Sequence, residues 1–481
     1  MSVMARARPY ITFLGLSLYT IILLQAIASS RFLARGLGLE LLDAAGGLAG
    51  GATVGVAVIT SAYLLATGET SMRSFGRIWL AIYSLLVIMS SGIGFFFYKN
   101  DLAELGREFA AYAFFGSAVV IGSSVRTWAA LRAPLLLACI LILPLCLIGF
   151  SQFRSVATEA DIGTRLAGSE ISINNLSAFF GLLPIVLFTL QWWGRIEVVV
   201  ICLAWSAAFC SALLQQSRLE GAYWVLCGVI ATILVASKYY THGHRPQLNR
   251  SFYALIGGIF LCLGSVACLN ESVRASTVAL AIRLSGEDQQ RDFYESGFIG
   301  NFSHENERFQ VLQDCWNDFS PMERVHGRGL GGSFEWLTDI ENAANKTARL
   351  EREDKYWLED GQKFGRRAIE IGWGNPFLKG GLLFSGWIML ASFVAITAAI
   401  RSRSPFAVVC GLVVLVNGIY SSFGGDFLVG SMMKMLGGGL SIGFLLSRGW
   451  RSDPWVGYLL EQVKPVNVRS TPTTPMFSTI T

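Results

Sequence analysis

The chain has 481 residues, of which 53% are hydrophobic and only 15% charged, and its formal net charge is +5. This apolar content exceeds what a soluble domain carries on its surface, so an ordinary soluble enzyme is excluded. Neither the modest charge nor its distribution indicates nucleic acid as a partner.

Apolar windows recur along the chain, each about long enough to cross ~30 Å of hydrocarbon as a helix. Twelve are predicted, at residues 10–29, 47–67, 78–98, 109–125, 134–151, 176–193, 196–214, 220–237, 252–269, 380–400, 405–423 and 427–447. The fold class predicted is therefore an all-α polytopic membrane protein with about twelve transmembrane helices.

Lysine and arginine in alternate short loops predict the orientation, because positive residues are retained on the cytoplasmic side. With the N-terminus inside, the cytoplasmic segments hold 16 such residues and the opposite short loops hold 7. Both termini are therefore expected in the cytoplasm, and the Pro/Thr-rich tail from Pro465 to Thr481 is expected to be disordered there.

One polar run interrupts the apolar pattern, from Asn270 to Lys379. It holds 14 of the 38 basic and 19 of the 33 acidic residues, a net charge of −5 against +10 for the rest of the chain. The loop count places it between spans 9 and 10, outside the cytoplasm. The expected organisation is a membrane domain at 1–269, a large helical extracytoplasmic loop at 270–379, a second membrane domain at 380–450 and a cytoplasmic tail at 451–481.

Three local patterns stand out within this run. From Asn306 to Phe319, apolar residues at helical spacing predict an amphipathic helix whose apolar face meets the bilayer or the spans. From Asp339 to Ala368, opposite charges four residues apart predict a solvated surface helix. Between them, the glycine-rich segment 326–332 predicts a tight turn that can approach a ligand closely.

Polar residues that are costly to place at a membrane surface form an ordered set together with neighbouring glycines, a proline and a leucine. Ordinary explanations exist for single members, since Asn174 or Asn175 fits a helix N-cap and Arg218 fits a side chain reaching toward water. In chain order the set comprises Arg165 and Gly168 before Asn174 and Asn175; Ser217 and Arg218; Glu307, Arg308, Pro321, Gly327 and Gly329; and Asn375, Leu378, Gly380 and Gly381.

This order resembles the O-antigen ligase and O-antigen polymerase superfamily of bacterial envelope polysaccharide enzymes over residues 150–400. The resemblance implies a multi-pass protein of the bacterial inner membrane with a periplasmic loop. It implies a glycosyltransferase that polymerises polyprenyl-pyrophosphate-linked oligosaccharide units into O-antigen, capsule or exopolysaccharide. Ligases of this family usually carry His immediately before the motif asparagine, where this chain has Gly374, and this departure favours a polymerase.

Two alternatives remain open at this stage. One is an O-antigen ligase or oligosaccharide transferase that moves the glycan from its lipid carrier to lipid A core or protein. The other is a secondary transporter, although transporters usually place charges and broken helices near the midplane rather than in one outer loop. The growing glycan or lipid A core is the expected acceptor, membrane lipids surround the protein, and a chain-length regulator and a flippase are candidate partner proteins.

The chemistry of such a donor suggests a role for each candidate residue. A leaving pyrophosphate gains charge that guanidinium groups stabilise, which selects Arg218 and Arg308, and a base must take the acceptor proton, which selects Glu370 and His326. We expect no cofactor and no metal, because the pyrophosphate is already activated and no metal-ligand spacing occurs. The expected substrate-binding residues are Arg165, Asn174, Asn175, Arg328, Asn375, Lys379 and Lys434, the last of which lies midway along the final span.

Overall fold

The computed structural model describes residues 13–29, 40–126, 128–157, 178–214, 218–241, 307–336, 355–357, 364–366, 372–402, 404–423 and 432–447. This part of the chain is mostly helical. Six of its helices are long and apolar enough to cross a membrane, and three shorter apolar helices accompany them. These observations agree with the coarse prediction of an all-α membrane protein. The predicted span at 252–269 and the tail lie outside the described residues.

Thirteen α-helices are described. They are α1 Phe13–Ser29, α2 Glu40–Ala66, α3 Ser74–Gly92, α4 Leu102–Ser124, α5 Trp128–Ala157, α6 Leu183–Phe188, α7 Arg195–Leu214, α8 Arg218–Thr241, α9 Glu307–Asp318, α10 Pro321–His326, α11 Gly374–Ile400, α12 Pro405–Phe423 and α13 Met432–Leu445. A π-helical turn, Ile93–Phe97, extends α3, and 3-10 turns at Ala178–Leu182 and Leu190–Trp192 flank α6.

Helix α13 lies at the centre of the bundle and packs mainly on α4. Its glycines allow this close approach, because a Cβ at Gly443 would overlap the backbone of Val119 and one at Gly439 would meet Ala118. Small residues at such positions let two backbones pack tightly where lipid supplies no hydrophobic driving force. Gly439 and Gly443 therefore serve close helix packing.

The predicted span at 176–193 is broken into three short helical pieces. Pro184 stands in the first turn of α6, where its missing N–H is tolerated, and it follows the 3-10 turn that ends at Leu182. Residues 180–190 are buried, which explains how this segment tolerates irregular backbone: it is enclosed by protein.

The bundle has two distinct polar ends. At one end, Met72 pairs with Ser447, an ion pair joins Arg126 to Glu69, and a second joins Arg132 in the first turns of α5 to Glu197 in the first turn of α7. The other end carries the described parts of the polar run. Among them, Arg328, Gly329 and Leu330 hydrogen-bond to the end of α3 and to the start of α11.

The surface helix predicted from Asp339 to Ala368 is wrong where the structure describes this stretch. Lys355–Trp357 (β2) and Phe364–Arg366 (β3) are strands, and β3 pairs antiparallel with both β2 and Phe334–Trp336 (β1), in the order β1-β3-β2. Opposite charges four residues apart contribute only about 0.2–0.5 kcal/mol per pair to a helix. The aromatic residues of these segments favour strands instead.

Candidate functional site

The glycine-rich turn at residues 327–332, called here the docked turn, fits between two spans. The N–H groups of Arg328 and Gly329 donate to the carbonyls of Leu378 and Lys379, both at 3.0 Å, and the Leu330 N–H donates to Ser90 of α3. Gly329 has φ +77°, and a Cβ there would overlap the backbone of Gly94. The close approach expected for this turn is therefore made to protein backbone.

All three nitrogens of the Arg328 guanidinium group donate hydrogen bonds to neighbouring protein groups. Its Nε donates to Glu323 Oε1 at 2.8 Å and its Nη1 donates to Asp318 Oδ2 at 2.7 Å. Further hydrogen bonds reach the carbonyls of Ser333 and Asp318, and the group stacks 4.7 Å from the Phe319 ring. Burial acts to lower the pKa of Arg328, but the hydrogen bonds and charges of the two carboxylates outweigh it and raise that pKa.

Lys379 is enclosed on the other side of the turn, with 2% of its side chain exposed. Its Nζ lies 2.6 Å from Glu108 Oε1 and donates to the Gly332 carbonyl at 2.7 Å. Glu108 also accepts the Gly331 N–H at 2.6 Å. One lysine and one carboxylate thus clamp the docked turn to α4 and α11, and their charges are compensated within the protein.

The amphipathic helix predicted at 306–319 is confirmed as α9. Cys315 and Phe319 are buried against Phe377 and Leu378 at the start of α11, and Phe319 stacks on Phe377 with centroids 5.6 Å apart. Its apolar face therefore packs on a span. Burial raises the pKa of the Cys315 thiol to about 12, so this cysteine is a packing residue and a poor nucleophile.

A second polar group, called here the mouth cluster, lies where α8, α12 and α13 meet. The ammonium of half-buried Lys434 lies 4.8 Å from the centre of the Tyr420 ring, and the Tyr420 hydroxyl donates to Glu220 at 3.4 Å. Beside them, the Tyr223 hydroxyl donates to Asn417 at 2.7 Å. Cation, carboxylate and phenol groups thus meet at the first turn of α8, which begins at Arg218.

Trp373 lies immediately before α11 and contacts two neighbouring parts of the protein. Its indole N–H donates to Ser422 at 3.3 Å, and the preceding Gly372 N–H donates to the Ser421 carbonyl at 3.0 Å. The same tryptophan also packs against the apolar cluster formed by α9 and α11. The segment entering α11 therefore contacts α12 on one side and the apolar cluster of α9 and α11 on the other, and the buried Asn375 lies two residues after Trp373.

The structure describes the side chains of some predicted site residues and not of others. Lys434 lies in the mouth cluster, Arg328 and Lys379 hold the docked turn, and His326 ends α10 with its Nδ1 2.6 Å from the Gly327 carbonyl. Arg218 begins α8 and Arg308 lies in the first turn of α9, but their side chains lie outside the described part. Arg165, Asn174, Asn175 and Glu370 also lie outside the described residues.

Sequence reasoning missed four members of the mouth cluster, namely Glu220, Tyr223, Asn417 and Tyr420. Glu220 stands two residues after Arg218, so its position at a span end was a usable signal. Tyr420 and Asn417 lie about 200 positions further along, and only the fold brings them to α8.

No family model, no curated protein and no solved structure matches this chain.

Proposed function

We propose that the protein is a membrane glycosyltransferase that polymerises polyprenyl-pyrophosphate-linked oligosaccharide units. The observation that carries the proposal is the meeting of Lys434, Glu220, Tyr420 and the helix start at Arg218 at the bundle end that also bears the polar run. A donor whose pyrophosphate sits at the membrane surface would encounter these groups first. In the proposed orientation this end faces away from the cytoplasm, as the loop charges favour.

In this mechanism the acceptor hydroxyl oxygen attacks the anomeric carbon of the donor sugar. The bond from that carbon to the phosphate oxygen breaks, and the lipid pyrophosphate leaves with the electron pair. Arg218, Arg308 and Lys434 stabilise the charge that develops on it. A base takes the acceptor proton, and Glu220 joins Glu370 and His326 as a candidate for this step.

The docked turn has a positioning role in the proposal. Arg328 and Lys379 each contact carboxylates within 2.8 Å, so they orient the loop above α11 rather than grip the donor. Trp373 then links α12 to the apolar cluster of α9 and α11 beneath this loop. This division moves two residues from the expected substrate-binding set to the supporting structure.

The test uses a strain lacking this gene, complemented with Arg218→Ala, Arg308→Ala or a matched control. Arg107→Ala is the control, because Arg107 is an exposed arginine whose partner Glu104 lies on the same helix. We expect the first two variants to reach the membrane in normal amount but to make no long-chain polysaccharide, whereas Arg107→Ala restores it. Full-length polymer from both Arg218→Ala and Arg308→Ala would refute the proposal.

The glycan lengths in the deletion strain separate polymerase from ligase. Loss of all but one repeat unit indicates the polymerase that we propose. A full ladder of lengths stranded on the lipid carrier would instead indicate a ligase.

A further inference from the structure

The short helix α10 exposes an apolar face beside the outer ends of two spans. Met322 and Val325 stand three residues apart, so they share one face, and 69% and 42% of them are exposed. Large apolar residues are also exposed at the end of α3 and just inside α11. Together the outer apolar patch comprises Phe96, Phe97, Met322, Val325, Leu382 and Leu383.

The parts of this patch are held next to one another by contacts of their neighbours. The Tyr98 hydroxyl donates to Glu323 at 2.9 Å, which fixes α10 beside the end of α3. On the other side, a Cβ at Gly381 would overlap the Val325 backbone, so α10 lies directly against the start of α11. Leu382 and Leu383 follow that glycine in the chain.

The opposite side of α10 is turned toward protein. Glu323 accepts hydrogen bonds from Tyr98 and Arg328, and a capping box with Ser320 fixes the start of the helix. Arg324 lies 4.7 Å from the Trp316 ring and donates to its carbonyl. The helix is therefore fixed in a single orientation, with Met322 and Val325 directed outward.

The patch continues the outer surface of helices that are long and apolar enough to cross a membrane. Ser74–Phe97 and Gly374–Ile400 are both such helices, and their exposed apolar side chains fit a hydrocarbon environment. Exposed Lys99, one residue past Tyr98, supplies a positive charge at the level expected for lipid phosphates. Apolar residues below a cation are the pattern of a segment lying in the membrane interface.

We propose that α10 is a membrane-surface anchor whose Met322 and Val325 insert among phospholipid acyl chains beside Phe97 and Leu383. This anchor holds the docked turn at headgroup depth. The inference stands on the patch alone and does not depend on the proposed enzymatic activity.

The test places a nitroxide label on cysteine at Met322, Val325 or Phe97 in the full-length protein, reconstituted in phosphatidylethanolamine and phosphatidylglycerol liposomes. Asn317→Cys is the matched control, because Asn317 is an exposed polar residue on the neighbouring α9. Labelled protein with only its native cysteines provides the background to subtract. Collision rates with oxygen, which concentrates in lipid, are compared with those of a water-soluble nickel chelate.

We expect labels at Met322→Cys and Val325→Cys to collide several-fold more often with oxygen than with the nickel chelate, as a label at Phe97→Cys should. A label at Asn317→Cys should collide more often with the chelate. Equal preference for the chelate at positions 317, 322 and 325 would overturn the anchor. Low collision rates with both reagents at 322 and 325 would also overturn it, because protein, from this chain or a second copy, would then cover the patch.

Discussion

The docked turn and the mouth cluster lie at the same end of the bundle, but their cationic side chains have different neighbours. In the docked turn, the cationic atoms of Arg328 and Lys379 lie 2.6–2.8 Å from carboxylate oxygens, and both side chains are largely enclosed. In the mouth cluster, half-buried Lys434 faces an aromatic ring at 4.8 Å. The first arrangement is suited to holding a loop in place, and for the second we propose a role in binding the pyrophosphate of the donor.

A cation in a sequence motif is therefore not by itself a binding residue. Arg328 and Lys379 belong to glycine-rich segments that resemble ligand-binding turns, yet their hydrogen bonds are made within the protein. Removing a docked-turn cation should therefore cost stability, and removing the mouth-cluster cation should cost activity.

The largest loss of stability is expected for Lys379→Met. It leaves the Glu108 carboxylate without its cation in an enclosed site, and breaking a buried ion pair in this way costs about 3–5 kcal/mol. The temperature at which half of the detergent-solubilised protein unfolds should fall sharply. The double variant Lys379→Met with Glu108→Gln should recover part of the loss.

The matched control for this lysine is Arg107→Met on the same helix as Glu108. Its ion pair with Glu104 is exposed, with 60% of the arginine side chain accessible, and such pairs contribute about 0–1 kcal/mol. Equal losses for Lys379→Met and Arg107→Met would contradict the clamp role of Lys379.

A smaller loss of stability is expected for Gly329→Ala. The left-handed backbone costs a residue with a Cβ about 1–2 kcal/mol, and the new methyl group would also overlap the Gly94 backbone. Gly386→Ala in α11 is the control: nothing lies within 4 Å of its Cβ position, and alanine favours a helix. Thermal unfolding of the two variants should move in opposite directions, and unchanged stability of Gly329→Ala would argue against tight docking.

The spacing of residues along the sequence predicts some elements of the fold, whereas elements that depend on pairing between distant segments could not be predicted. Helix α9 was predictable because Leu312, Cys315 and Phe319 repeat at helical spacing. The strands were missed because three residues carry too little periodicity, and their pairing joins Phe334 to Arg366 across a long stretch of chain.

The candidate site was predictable to a similar degree. Asp318 and Glu323 look in sequence like solvated loop carboxylates, and only the fold directs both toward Arg328. Tyr420 meets Glu220 from another span, so no local spacing could indicate the mouth cluster. The apolar windows, by contrast, predicted the helical membrane class directly, because a bilayer demands long apolar segments.

Acid should weaken the docked turn through Glu323. Burial acts to raise the pKa of Glu323, but hydrogen bonds from Arg328, Ser320 and Tyr98 outweigh it and hold that pKa at about 2. Since this is below the ordinary glutamate pKa of ~4.3, the stabilisation is complete above that value and disappears as pH falls through about 2. Its size is on the order of 2 kcal/mol.

Unfolding temperatures between pH 6 and pH 3 measure this contribution. The wild-type protein should lose more stability over that interval than Glu323→Gln, which already lacks the charge at pH 6. Parallel losses for the two proteins would show that Glu323 does not carry the acid sensitivity.

The smallest change in stability is expected for Lys434→Met, although its activity should be lost. A cation above an aromatic ring contributes about 0.5–1 kcal/mol at an exposed site and about 2 kcal/mol when desolvated, below the loss expected for Lys379→Met, and methionine preserves much of the packing around Tyr420. Lys434→Arg keeps the charge and should retain part of the polymer, whereas Lys434→Met should make none at normal protein levels. If Lys434→Met instead unfolds as readily as Lys379→Met and the surviving protein makes full-length polymer, then Lys434 is a packing residue and the contrast between the two regions fails.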